Sequence, residues 1–260
     1  MQAFFNHLSN LLGIDKNSTS HTEKLISVAG VLIGLITIRE ISSWYLADTG
    51  SLLMIASMGA SAVLIFGMPH GALSQPWPVL AGHLVAAFIG VTISRYFATE
   101  WWTPALAVAL SMGAMHYLHC IHPPGGATAM IAVIGGEQVQ SLGYAYLLTP
   151  VLVNVISLLL IAILFNSFFP WRRYPVYLAL SSYTEPQLPK NFSAEPEPED
   201  FDAALAELDS YRDITTEELA ELYQRAKYQA SLRIEEEKRV AEEKRRNGRL
   251  LRHKKSARKS

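Results

Sequence analysis

Charged residues are almost absent from one long part of this 260-residue chain. Those between residues 25 and 170 are Arg39, Glu40, Asp48, Arg95, Glu100 and Glu137. A water-soluble domain of this length would carry many more. The composition therefore excludes an ordinary soluble domain and predicts one that lies in a membrane.

Cysteine and the common catalytic motifs are also scarce. Cys120 is the only cysteine, so an intrachain disulfide is excluded and no oxidising compartment is implied. The chain has no Walker or Rossmann glycine pattern and no legible Ser/His/Asp or Cys/His/Asn set, so we expect neither an enzyme nor a cofactor. It begins without the features of a cleaved signal peptide, and we expect the apolar segments themselves to direct membrane insertion.

Apolar segments divide the first two thirds of the chain. A helix rises about 1.5 Å per residue, so about 20 residues cover a hydrocarbon core of about 30 Å. The segments are residues 25–46, 51–67, 78–97, 105–118 and 147–169. The second and fourth are short, which leaves open whether they cross or re-enter. We predict an all-α membrane protein, a small bundle of four to five transmembrane helices.

Several positions near the ends of these segments carry local signals. Ser20 or Thr22 is placed to cap the first long helix. Pro104, after two tryptophans, is typical of a helix that starts at a membrane interface. Arg39 and Glu40 are expected to reach the interface, to pair, or to face a polar cavity, because an unpaired charge in lipid is costly.

The two ends of the chain differ from the apolar part. Residues 1–23 form an N-terminal segment that is amphipathic over residues 1–12, and residues 24–173 form the membrane domain. Residues 174–200 are predicted to be a linker and residues 201–260 a charged, helical, cytoplasmic tail. The tail segment 238–260 has 11 basic and 2 acidic residues, so it carries a charge of +9. It is expected to contact anionic lipid or the acidic residues before it. It lacks aromatic residues for base stacking, so we expect no nucleic acid partner.

Residues 116–130, HYLHCIHPPGGATAM, form an unusual polar interruption in the apolar part. Pro123 and Pro124 break a helix, Gly125 and Gly126 let the chain bend, and residues 127–130 can start a new helix. The N-terminus of a helix offers free N–H groups and the positive end of its dipole. We therefore expect a helix that breaks at membrane depth and restarts beside a site for a small anion.

A shift of 54 residues superimposes the chain on itself. Residues 57–60 then match residues 111–114, Pro69 matches Pro123, and Gly71 matches Gly125. Residues 68–76 accordingly form a second break. Paired short segments with Pro/Gly interruptions indicate a transporter site near the bilayer midplane. The small residues around the two breaks are interpreted as tight helix packing.

Histidines cluster at the main interruption. His116, His119, Cys120 and His122 raise the possibility of a zinc or copper site, but no acidic partner is near. We expect instead that the histidines bond carbonyl groups freed by the breaks, or line a polar path. His70 and His83 share this ambiguity. No metal is predicted.

The sequence HPPGGATA at residues 122–129 resembles the signature of the HPP family of integral membrane proteins. The similarity runs from about residue 26 to residue 169 and includes GASAVL at 59–64, LSQP at 73–76 and GHL at 82–84. The resemblance implies a small bundle, usually described as having four transmembrane helices. It also implies anion transport, because members in cyanobacteria and chloroplasts are implicated in nitrite transport. The chain departs from the family at Trp77, where an arginine is common.

The expected function is transport of a small inorganic anion, with nitrite as first choice, across a bacterial inner membrane. The broken helices would supply the substrate-binding residues, which are His122, Gly125, Gly126, Thr128, His70, Gly71, Ser74 and Gln75. His122 and His70 would orient or protonate the anion. We also expect a homo-oligomer.

Alternative functions and orientations remain open at this point. The chain could be a non-transporting sensor or scaffold whose cytoplasmic tail binds a partner, or a metal-dependent membrane enzyme. If all five segments cross, the N-terminus lies outside. If one re-enters, both ends lie inside.

Overall fold

The computed structural model describes residues 19–44 and 48–180, with isolated positions at 8, 12, 219, 223, 239 and 240. Between residues 45 and 55 no side chain is described. The chain divides into two compact units, and the described ranges belong to the first, which comprises residues 1–192 and 205–213. The expectations for the N-terminal helix, the linker and the tail fall almost wholly outside the described residues.

The described residues of this unit form helices and no strand, which confirms the all-α prediction. The helices are α1 (His21–Ser43), α2 (Asp48–Gly67), α3 (Pro76–Tyr96), α4 (Thr103–Tyr117), α5 (Pro124–Ile134), α6 (Gly136–Ser141), α7 (Val153–Ser167) and α8 (Val176–Leu180). Single turns of 3₁₀ helix lie at Ala72–Ser74 and Pro170–Arg172, and a π-helical turn, Leu147–Leu152, leads into α7.

Three of these segments are long and apolar enough to cross a membrane. They are α1, α3 and the segment Leu147–Ser167, which contains α7. Shorter apolar helices accompany them at Ala56–Gly67, which is the end of α2, and at α5. The bundle therefore combines full-length and short apolar helices.

Local sequence signals place several helix starts. The hydroxyl of Ser20 accepts a hydrogen bond from the Glu23 amide, 3.1 Å away, so Ser20 is the N-cap of α1. Pro104 lies in the first turn of α4, as predicted, and α3 and α5 begin in the same way. Proline suits this position because its missing N–H would have no partner there.

The two copies of the repeat have the same order of elements. In each copy a long helix is followed by a shorter helix and a break, and α1 packs on α2 as α3 packs on α4. The copies differ after the break, because α3 continues for 21 residues whereas α5 continues for 11. The repeat is therefore a structural one.

Two glycines allow α3 to pack closely against α5. A Cβ atom on Gly90 would lie 2.5 Å from the carbonyl oxygen of Ala129, and one on Gly82 would lie 2.7 Å from Cβ of His122. Since Gly82 meets the start of α5 and Gly90 meets its middle, the two helices run parallel. Close backbone approach at small residues is the usual way for helices to pack in lipid.

A buried ion pair joins the start of α1 to the segment after α7. The guanidinium of Arg172 donates to the carboxylate of Glu23 and, over 2.5 Å, to the carbonyl of Phe66 at the end of α2. At the opposite end of the bundle, Asn154 of α7 donates to Ser42 of α1 over 2.8 Å. Helices α1 and α7 therefore run in opposite directions.

The ion pair also bears on which ends of the domain lie together, whereas the side of the membrane on which they lie stays a prediction. Helix α5 is the restarted helix that the sequence predicts after the second break, and its 11 residues, about 16 Å, are too few to cross the hydrocarbon core alone. Glu23 lies in the first turn of α1 and Arg172 follows α7, so the ion pair brings the two ends of this domain together. The described domain thus begins and ends at the same end of the bundle.

Replacement of Gly90 by alanine should destabilise the protein through the α3–α5 contact. The new methyl group overlaps a backbone carbonyl that cannot turn away, and overpacking of this kind costs about 1–3 kcal/mol. The measurement is the free energy of unfolding in detergent, or the thermal midpoint. Gly113→Ala is the control, because a Cβ atom there meets nothing within 4 Å. Equal effects of the two substitutions would contradict this packing.

Replacement of Arg172 by glutamine should lower the free energy of unfolding more than the same replacement of Arg173. It would leave the Glu23 carboxylate, 2% exposed, without its cation, and breaking one side of a buried pair costs about 3–5 kcal/mol. Arg173→Gln, at an exposed position, should have little effect on unfolding. The pairing would be wrong if the Glu23→Gln/Arg172→Gln double variant were no more stable than the Arg172→Gln variant.

Candidate functional site

Hydroxyl and imidazole groups form a continuous, fully buried row of hydrogen bonds inside the bundle. We call this row the buried polar chain, and none of its side chains is exposed to solvent. Its members are Ser57 and Ser61 of α2, His83 of α3, His122 in the second break, and Thr128 of α5.

One half of the buried polar chain runs to the first break. Nδ1 of His122 lies 2.8 Å from the carbonyl oxygen of Leu73. Nε2 of His122 lies 2.9 Å from Oγ of Ser61, and the same Oγ lies 2.8 Å from Nε2 of His83. One serine hydroxyl therefore joins two imidazole rings, whose centroids are 4.9 Å apart.

The other half runs deeper into the bundle. Nδ1 of His83 lies 2.7 Å from Oγ1 of Thr128, and that oxygen lies 2.6 Å from Oγ of Ser57. Ser57 also approaches the carbonyl oxygen of Pro124, at 3.4 Å. The row therefore begins and ends at backbone carbonyl groups.

Helix geometry explains why these residues meet. Ser57 and Ser61 are four residues apart, so they share one face of α2. His83 lies seven residues after Pro76, which is about 10 Å along α3 at 1.5 Å per residue. The absence of a side chain at Gly82 lets His122 lie against α3. The buried polar chain thus extends from the two breaks into the interior of the bundle.

The carbonyl of Leu73 determines which ring nitrogens carry hydrogen. A carbonyl only accepts, so Nδ1 of His122 must donate, and Nε2 of the neutral ring must accept. The single hydrogen of Ser61 is then directed to His122. Ser61 can therefore only accept from His83, so that Nε2 of His83 carries its hydrogen.

The same reasoning continues to the end of the row. With hydrogen on Nε2, the neutral ring of His83 accepts at Nδ1, and Thr128 donates to it. Ser57 must then donate to Thr128. All donors of the neutral row point one way, from Ser57 towards Leu73.

The predicted site residues of the second break divide into two groups. His122 and Thr128 belong to the buried polar chain, whereas Gly125 and Gly126 flank it. The amides of these two glycines donate, over 2.9 Å each, to the carbonyls of His122 and Pro123. The expectation that these amides are free is not met in this conformation, because the tight turn before α5 uses both of them.

Two of the predicted site residues of the first break form hydrogen bonds with the segment after α7. His70 lies 3.2 Å from the carbonyl of Arg173, and Oε1 of Gln75 accepts from the amide of Val176 over 3.0 Å. Gly71 bonds within the break, whereas the hydroxyl of Ser74 donates to the carbonyl of Leu64 in α2 over 3.0 Å and its carbonyl accepts from Tyr174.

Tyr174 is the residue that fastens this segment most directly. Its hydroxyl donates to the carbonyl of Ser74 over 2.7 Å. Burial raises the pKa of the Tyr174 phenol, which keeps this donor protonated. The four first-break residues therefore lie outside the buried polar chain.

The structure does bring the two breaks together. Besides the bond from His122 to Leu73, the indole of Trp77 donates to the carbonyl of Leu118 over 3.3 Å. Both breaks lie at the bundle end that also holds the Glu23–Arg172 pair. In both of these bonds a side chain at one break is bonded to a backbone carbonyl at the other.

Three members of the buried polar chain were not predicted as site residues. Ser57 and Ser61 had been interpreted as small residues for packing, and His83 as ambiguous. Two serines spaced by one helical turn, with a histidine on the next long segment, were the only signal. That signal does not say which faces of the helices meet.

The other histidines do not join this site. His116 and His119 are exposed, whereas Cys120 and His122 are buried. Among the described residues, no three His, Cys, Asp or Glu side chains converge in a way that could hold a metal ion. The prediction of no metal stays a prediction.

Comparisons with known proteins agree with the fold. Residues 16–175 match the family model described as HPP, transmembrane region. A transmembrane protein of Dictyostelium discoideum is 37% identical over 149 residues, which cover 56% of this chain and 48% of the relative. A second transmembrane protein of that organism is 38% identical over 158 residues, which cover 59% and 53%. This chain spans about half the length of these curated relatives. No solved structure matches it.

Nitrogen-15 NMR of the protein in lipid nanodiscs should reveal the two tautomers. We expect the neutral ring of His122 to carry hydrogen on Nδ1 and that of His83 to carry it on Nε2, since Leu73 fixes the direction of the row. His116→Gln, at an exposed position, assigns signals without altering the row. A neutral His122 with hydrogen on Nε2 would contradict the assignment.

Proposed function

We propose that this chain, which belongs to the HPP family of transmembrane proteins, carries a small inorganic anion across a membrane, with nitrite as the substrate of first choice. The observation that supports this is the buried polar chain. Polar groups at membrane depth are costly, and they are typical of substrate and ion pathways.

The chemistry of the buried polar chain favours an anion over a cation. Its side chains offer O–H and N–H donors, and no carboxylate belongs to it. A hard cation such as Mg²⁺ or Ca²⁺ prefers carboxylate and carbonyl oxygens in number. Hydrogen bonds to an ionised acceptor are about twice as strong as neutral ones, so a desolvated row of donors suits a small anion.

Movement at the breaks would open the site. In the described conformation the members of the buried polar chain bond one another and are closed to solvent. Separation of the two breaks would break the bond between His122 and Leu73, and separation of α2 from α5 would break the bond between Ser57 and Thr128. The hydroxyl and N–H donors released in this way could then turn towards an anion. Rocking of one repeat against the other around a central site is the usual mechanism of transporters built from repeats.

The choice of nitrite comes from the family resemblance, and the cytoplasmic side comes from the positive charge that follows the last long apolar segment. We place the domain in a bacterial inner membrane with the tail in the cytoplasm. The end with the two breaks would then face the cytoplasm, together with both ends of the domain. Of the two arginines after α7, Arg172 is buried and paired, so Arg173 supplies the exposed positive charge.

Nitrite uptake into proteoliposomes tests the function and the site together. Thr128→Val keeps the shape of the side chain but removes two links of the row. At about 1 kcal/mol for each hydrogen bond, the loss should lower uptake by about tenfold or more. Thr128→Ser keeps the hydroxyl and should retain most uptake. Ser111→Ala is the control, because this buried hydroxyl bonds only the Ala107 carbonyl of its own helix, over 2.7 Å.

The outcomes separate transport from the alternatives. Wild-type uptake no greater than that of protein-free liposomes would reject transport and favour a sensor or scaffold whose tail binds a partner. Uptake by Thr128→Val equal to that of the wild type would reject the site. Gly126→Leu provides a second test of the break, because Gly126 lies at the start of α5 and faces Val108 of α4. Uptake equal to that of the wild type would reject a role for this break.

A further inference from the structure

We propose that the buried polar chain takes up one proton with each anion, which makes this chain a proton–anion symporter. The inference rests on the proposed function for the anion and adds the coupling ion. It follows from a count of hydrogens along the row and from the charges around it.

The row has one more link than it has hydrogens. Between the carbonyl of Pro124 and the carbonyl of Leu73 there are six contacts between neighbouring groups. Each of the five neutral side chains contributes a single hydrogen, because a hydroxyl and a neutral imidazole carry one each. Five hydrogens cannot fill six links.

The distances show which link is without a hydrogen. Five contacts measure 2.6 to 2.9 Å, the range of good hydrogen bonds, whereas the contact from Ser57 to Pro124 measures 3.4 Å. The direction of the donors, fixed independently at Leu73, leaves this same link without a hydrogen. Geometry and counting therefore agree.

One added proton completes the row. It binds Oγ of Ser57, whose own hydrogen passes to Oγ1 of Thr128, and the hydrogen of Thr128 passes to Nδ1 of His83. Ser57 then donates to Pro124, Thr128 to Ser57, and His83 to Thr128. All six links hold a hydrogen, His83 is an imidazolium, and the net change is one proton with no electron transferred.

The charge can then move between the rings without displacement of heavy atoms. The hydrogen on Nε2 of His83 passes to Oγ of Ser61, while the hydrogen of Ser61 passes to Nε2 of His122. His122 becomes the imidazolium and His83 becomes neutral. A second proton has no link to fill, so the two rings share one charge.

The surroundings of the row make this charge necessary for an anion. An unpaired ion in a membrane interior is strongly disfavoured. Arg172, which bonds the end of α2, already pairs with Glu23, Arg39 of α1 pairs with Glu40, and Arg95 lies over the ring of Tyr144 near the far end of α3. An imidazolium in the row is therefore the available partner for a negative charge.

The titratable groups around the row are few and are not acidic. The π-helical turn approaches it through Tyr146, whose hydroxyl donates to the carbonyl of Thr128 over 3.3 Å. The second break contributes the buried thiol of Cys120, and α4 contributes His116, which is exposed. Helix α5 carries no ionisable side chain, and neither does the part of α2 whose side chains are described. Since none of these described groups is a carboxylate, none of them would pair with the imidazolium, and its charge can pair with an anion.

Coupled flux in proteoliposomes tests the proposal on the unaltered chain. Nitrite entry and internal pH are recorded together, with valinomycin and potassium setting the membrane potential, in alkaline buffer that limits passage of free nitrous acid. We expect one proton per nitrite, entry driven by a pH gradient, and no response to the potential because the pair carries no net charge. Protein-free liposomes give the background.

The outcomes distinguish the two proposals. Nitrite entry that follows the potential without proton movement would overturn the coupling and leave the transport function intact. No entry above background would reject the transport function itself.

Ser61→Ala tests the link between the rings. It removes the hydroxyl through which the charge moves, so nitrite-coupled proton uptake should fall by about tenfold. Ser111→Ala, a buried serine outside the row, should retain the wild-type rate and stoichiometry, and unfolding temperatures check that both variants fold. Proton uptake by Ser61→Ala equal to that of the wild type would overturn the relay.

Nitrogen-15 NMR during acidification provides a readout that does not depend on transport. The two rings should bind one proton between them while the protein stays folded. Binding of two protons, or of none, would overturn the count on which the proposal rests.

Discussion

The hydrogen bond from Nδ1 of His122 to the carbonyl of Leu73 is the interaction on which the rest of the site depends. It joins the two interrupted parts of the chain, which are 49 residues apart. It also fixes the tautomer of His122, and through Ser61 it fixes that of His83. A single backbone acceptor thus sets the direction of a whole row of donors, which is how a neutral row comes to have one unfilled link.

Close packing of backbone makes this bond possible. Gly82 leaves room for His122 against α3, and Gly90 lets α5 run beside the same helix. In lipid, helices gain little from burying apolar surface, so close approach and internal hydrogen bonds have to hold them together. The buried polar chain therefore stabilises the closed bundle and also forms the proposed site.

A second polar cluster holds the same end of the bundle. Arg172 joins the start of α1, the end of α2 and the last turn of α7 through Glu23, Phe66 and Asn166. Buried charges of this kind contribute specificity at a considerable desolvation cost. Arg172 is thus a strong cation close to the breaks whose charge is already neutralised by Glu23.

The sequence by itself determined the membrane class, the helical fold, the repeat and the position of both breaks along the chain, but it placed the breaks at membrane depth whereas the structure places them at one end of the bundle. It did so because apolar length, proline and glycine act locally. Ser20 and Pro104 were identified correctly for the same reason. The tertiary structure decided which polar residues meet: Ser57, Ser61 and His83 joined His122 and Thr128, while His70 and Gln75 turned to the segment after α7. The face of a helix that meets its neighbour depends on contacts between residues distant in sequence, and no local pattern encodes them. The common end of the bundle at which the described domain begins and ends likewise emerged only from a tertiary contact, that of Glu23 with Arg172.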